Sequence, residues 1–227
     1  MNTAISASTT TTLAARAPIA RSNLRRPYRR TATLVGALFL TATAAFSAGS
    51  SLIASHFSAD STQTSTLLAG VSLEACAALA GAGIGIAMLP LLRRYNARLG
   101  GAYLALRLLE CLAIVSVGAY MLAGNRELPN YDLLIYPFTA AAGLILSYLL
   151  YRSRLVPRTL SKLGLVGYAV LLIGIPTALT GLANINGGWG ISFLVPGGLF
   201  ELIVPLLLIA KGFSVPCHEL DTNGSAR

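Results

Sequence analysis

Acidic residues are scarce: Asp and Glu number 8 against 17 Lys and Arg in 227 residues, and none precedes Asp60. Charged residues make up only 11% of the chain, where an ordinary soluble domain carries about 25%. Histidine occurs twice, at His56 and His218, and neither falls within a long apolar run. That removes His-based zinc sites, haem ligation and His-activated nucleophiles from any membrane-embedded part of the molecule. Three cysteines, Cys76, Cys111 and Cys217, are too few for a disulfide framework, and the first two sit in apolar surroundings where a small polarizable side chain serves packing. Cys217–His218–Glu219 has metal-type ligands, but too few for a closed site and on a polar tail.

What the chain has in quantity is apolar sequence. Hydrophobic residues reach 55% and the mean hydropathy is +0.69. Six runs, Thr31–Ala54, Thr66–Leu92, Gly101–Gly124, Leu133–Tyr151, Leu163–Ala183 and Leu194–Ala210, each approach the roughly 20 residues that cross a bilayer as a helix. The pattern predicts an all-α integral membrane bundle of six transmembrane helices. The net charge of +9 does not point to nucleic acid, because the basic residues lie in short clusters between these runs instead of on one surface.

Those clusters set the expected orientation. Fifteen basic residues fall on one side of the six runs, in the segment before Thr31, the turns after the second and fourth runs and the C-terminal end, whereas Arg126 stands alone on the other. Short-loop Lys and Arg stay in the cytoplasm, so both termini are expected there, in a multi-pass protein of the plasma membrane. Residues 1–30 hold six Arg, no acid and much Ser, Thr and Ala, and read as a disordered basic cytoplasmic tail. Such a tail would lie against anionic lipid headgroups, although an organellar transit peptide shares its composition. Residues 31–211 form the expected six-helix transmembrane domain, and residues 212–227 a short cytoplasmic tail. Ala45 and Ser47 would fit the small positions before a signal-cleavage site, but the charged region ahead of them is too long for an ordinary signal.

Four ionisable residues interrupt the runs: Glu74, Arg107, Glu110 and Glu201. Each costs about 2.5–3.5 kcal/mol at mid-membrane even on the lenient insertion scale, so it must face protein or water. Arg107 and Glu110 are three residues apart and share a helix face, with Tyr103 one turn earlier. Gly70, Glu74, Ala78, Gly81 and Gly85 form one small-residue stripe, which marks a close helix contact. Gly167, Gly174 and Gly181 recur every seven residues, and Gly197, Glu201 and Pro205 every four. Pro205 frees a backbone carbonyl beside Glu201, where a small hydrated pocket fits. Trp189, Tyr131 and Tyr136 stand at run ends, the headgroup level that amphipathic aromatics prefer.

Four stretches, YRRTATLVGALFL at 28–40, RLLE at 107–110, YRSRLVPRTLSKLGLVGY at 151–168 and GLFELIVPLLLIAKGF at 198–213, resemble a family of uncharacterised bacterial multi-spanning membrane proteins, a domain of unknown function (DUF4386-like). The resemblance covers about residues 28–213 and implies a six-helix membrane fold. It implies no substrate, cofactor or reaction. The residues themselves offer no catalytic, cofactor-binding or metal-ligating set, and the protein partner is unspecified. The expectation is therefore an intramembrane charge cluster of Glu74, Arg107, Glu110 and Glu201 with a structural, regulatory or partner-binding role, Arg107 tying three helices together. The alternative is a small proton-linked transporter of an unidentified solute, since buried membrane carboxylates often carry protons.

Overall fold

A computed structural model describes residues 17–58, 64–182 and 187–213, with side chains from Arg29 onward. It consists of six long helices: α1 (Ala17–Ser58), α2 (Thr64–Arg93), α3 (Ala97–Gly124), α4 (Asp132–Ser153), α5 (Arg158–Leu179) and α6 (Val195–Lys211). A short 3-10 helix, Gly188–Phe193, leads into α6. All six, the last taken together with the 3-10 helix as Gly188–Lys211, are long and apolar enough to cross a membrane, as their composition led one to expect. The exterior is apolar too: Leu79 is 67% exposed, Ile86 60% and Ile173 63%, a surface that suits lipid and not water.

The ends of the helices follow local chemistry. Asn96 caps α3, its Oδ1 accepting from the backbone N–H of Arg98 and Leu99 at 3.0 and 3.1 Å. Asn125 closes the same helix in the left-handed region, at φ 44°, a conformation Asn adopts more readily than most residues. Pro157 ends the basic turn before α5, where its missing N–H costs nothing.

Each helix packs on its neighbours in the chain, and α6 closes on α1, so the six form an antiparallel ring. One end of the ring carries Arg93, Arg94, Arg152, Arg154, Arg158 and Lys211. A large apolar core that includes Val35, Met88, Leu92, Leu149, Val204 and Leu208 runs from this basic end as far as Ile175 near the other end of α5. Two smaller clusters lie around Ile53, Leu67 and Met121 and around Ala78, Ile114 and Ile135.

α1 begins at Ala17, within the basic segment that precedes the first apolar run. One expectation needs correction, at Gly181. Residues 1–16 and 214–227, including Cys217–Glu219, lie outside the described residues. Gly181 does not share the packed face of Gly167 and Gly174. It lies beyond the end of α5 at φ +74°, with no atom near the place of a Cβ, so it serves the turn and not a helix contact.

Candidate functional site: an intramembrane cavity

The small-residue stripe on α2 does two jobs. At its N-terminal end Gly70 meets α1, where a Cβ would lie 2.8 Å from Ile53 and 3.0 Å from the Gly49 carbonyl. At its C-terminal end Gly81 and Gly85 face α3, and a Cβ on Gly81 would lie 3.7 Å from Nη1 of Arg107. The two glycines leave room for the guanidinium against α2. Arg107 is 7% exposed and Glu110 8%, and Arg107 Nη1 donates to Glu110 Oε2 at 2.8 Å. Thr139 of α4 donates to the other oxygen of Glu110 at 2.6 Å. The guanidinium carbon lies 5.7 Å from the ring centroid of the fully buried Tyr103, within cation–π range.

Glu201 of α6 accepts a hydrogen bond from Tyr168 of α5 at 2.7 Å. Tyr168 is itself buried and packs edge-on against Phe200. Arg107, Glu110 and Glu201 line one cavity of about 260 Å³. All six helices contribute to its wall: Phe39 and Thr43 from α1, Ala78 and Gly81 from α2, Tyr136 and Thr139 from α4, and Tyr168 and Gly198 from α5 and α6, besides the charged residues. With Glu110 matched to Arg107, the remaining formal charge in the cavity is that of Glu201. Pro205 does not line the cavity; it is buried where α6 crosses Gly36 of α1.

Glu74 is separate. It is buried at 2% exposure but does not line the cavity. Its Oε1 accepts from Ser50 of α1 at 2.8 Å and from Tyr131, just before α4, at 2.6 Å. The four ionisable residues thus divide into a group of three around a cavity and one clasp. Arg107 does not tie a third helix through a second Glu: among the described residues its ion pair is with Glu110 alone.

Hydroxyls complete both arrangements, and these are what the sequence reading passed over. Tyr131 and Tyr136, at the start of α4, turn inward, Tyr131 because a buried carboxylate needs a donor. Burial, and then the hydrogen bond to Glu74, push the Tyr131 phenol well above the ordinary tyrosine range, so it remains a donor at physiological pH. For Tyr131, a Tyr beside a helix start in a chain with an inward Glu was the signal available. Tyr131→Phe is expected to lower stability by about 1 kcal/mol, the scale of a membrane-protein hydrogen bond, and Tyr131→Phe with Glu74→Gln by little more than Glu74→Gln alone. Thermal unfolding in detergent checks this; strictly additive losses would mean that the clasp does not operate.

The comparison with known families adds one finding. Residues 129–212 match a domain of unknown function, DUF4386. The DUF4386 match takes in α4, α5 and α6, with Thr139, Tyr168 and Glu201. It is shorter than the resemblance drawn from the sequence, leaving 28–40 and RLLE at 107–110 outside while containing 151–168. No curated protein and no solved structure matches the chain.

Proposed function

We propose that the protein lies in the plasma membrane with both termini in the cytoplasm and passes a small solute through its central cavity. What most supports this reading is that all six helices line one cavity holding Arg107, Glu110 and Glu201 among apolar walls. Ligand sites are concave and mostly apolar with a few placed polar groups, and ionisable residues inside a membrane mark solute or ion pathways by default. The orientation rests on the fifteen-to-one distribution of basic residues, and the basic end of the ring, with Arg29 and Arg30, suits anionic headgroups. In that orientation the basic end of the ring is cytoplasmic, and the cavity, whose lining reaches Ile135 near the start of α4 and Leu194 just before α6, lies toward the outer side, an outward-facing arrangement. The structural reading keeps Glu74, whose partners on α1 and before α4 hold the outer half together.

The test is solute flux into proteoliposomes over a panel of small amino acids, amines, carboxylates and sugars. Gly198→Leu is the informative variant, because a Cβ at Gly198 meets nothing within 4 Å and the larger side chain grows into the cavity. Flux of at least one solute above protein-free liposomes, lost in Gly198→Leu, is the expected result. Equal, background flux for every solute would rule out transport.

A further inference from the structure

The cavity holds two charged groups whose hydrogen-bonding capacity is largely unused. A guanidinium offers five N–H donors. Among the described residues Arg107 uses one, from Nη1 to Glu110, and its Nε is buried without a partner. Leaving such a donor unmet in a buried site is unfavourable, the more so on a charged group. On α6, Glu201 receives one hydrogen bond, from Tyr168, and no cation stands within ion-pair distance of it among the described residues. Both side chains line the same cavity, with Phe39, Ile84 and Leu171 as apolar wall. A singly charged ligand would answer one of these groups and leave the other as it is.

Resting on the solute-cavity reading above, we infer that the solute is a small zwitterion, an amino-acid-like molecule whose carboxylate meets Arg107 and whose ammonium meets Glu201. Arginine suits the first role because the Nη1–Nη2 edge of its planar fork matches a carboxylate with two N–H···O bonds, the buried Nε being closed to the cavity. Glu110 keeps the fork in place by its own bond to Nη1. The cavity, about 260 Å³, is below the usual range of about 300–1,000 Å³ for drug-sized ligands, which favours a compact molecule with a short apolar side chain.

The experiment uses the purified full-length protein in detergent and reads its thermal unfolding midpoint against three probes. These are leucine, isoamylamine (leucine without its carboxylate) and 4-methylpentanoate (leucine without its ammonium). Leucine should raise the wild-type midpoint saturably, and the other two should need about thirtyfold more to match it, the scale of losing one buried charge partner. Glu201→Gln should weaken leucine and leave 4-methylpentanoate unchanged. Gly198→Leu should unfold at the wild-type midpoint and respond to none of the three, which keeps the test intact if Glu201→Gln fails to fold. If isoamylamine or 4-methylpentanoate equals leucine and Gly198→Leu abolishes the response, the cavity reading survives and the zwitterion is wrong. A leucine response that persists in Gly198→Leu puts binding elsewhere and overturns both. Wild type that ignores leucine overturns the zwitterion, with the flux panel still deciding the cavity.

Discussion

Arg107→Ala is expected to lower stability by about 3 kcal/mol, because removing one partner of a buried pair leaves an uncompensated charge behind. Glu110 would keep only the Thr139 hydroxyl, at 2.6 Å, in a site where the residue is 8% exposed. Much of the cost should therefore vanish when the stranded carboxylate is removed as well. Arg107→Ala with Glu110→Gln is expected to be more stable than Arg107→Ala alone, with a coupling of about 2 kcal/mol between the two sites. A double-mutant cycle by thermal or denaturant unfolding in detergent reads this directly. Additivity within about 0.5 kcal/mol would mean that the two side chains do not share a buried site.

Gly167→Ala should be comparably severe for a different reason. A Cβ on Gly167 would lie 2.5 Å from the backbone nitrogen of Gly197 and 2.7 Å from the carbonyl carbon of Pro196. Both obstacles are backbone, so no rotamer change relieves them, and α5 and α6 must separate. Overpacking of this kind costs about 1–3 kcal/mol, and the upper end is expected because the same separation pulls Tyr168 away from Glu201. Gly198→Ala, one residue from the contact and facing open space, is the matched control and should stay within about 0.5 kcal/mol of wild type. Equal midpoints for the two variants would show that α5 and α6 do not cross at Gly167.

The contrast between these glycines shows what the sequence could carry. The stripe from Gly70 to Gly85 was legible because small residues at helical spacing have one meaning in a bilayer, and all five of its members are buried. The seven-residue recurrence at Gly167, Gly174 and Gly181 was legible only in part, since spacing does not reveal that the helix stops at Leu179 before the third member. The inward direction of Glu74, Arg107 and Glu110 followed from the cost of exposing charge to lipid. Their division into a cavity and a clasp did not, because it depends on which helix stands opposite each face. That is set by the closure of α6 on α1, a long-range contact with no local signature. Tyr131 and Tyr136 escaped for a related reason: a tyrosine near a helix end suits both the headgroup and an inward carboxylate, and only the neighbouring helix decides between them, as it also decides for Thr139 and Tyr168 farther along α4 and α5.

The cavity itself is open to one direct measurement. In a background with Cys76, Cys111 and Cys217 replaced, a single cysteine is placed at Gly198, on the cavity wall, or at Leu79, which is 67% exposed on the apolar exterior. Gly188, at the start of the 3-10 helix, supplies a third position as a positive control. A small charged, membrane-impermeant methanethiosulfonate is added to the outside of intact cells or sealed right-side-out vesicles. The account predicts that Gly188→Cys and Gly198→Cys are modified and Leu79→Cys is spared. Modification of Gly188→Cys with Gly198→Cys inert would contradict a cavity that is open to water from the outer side.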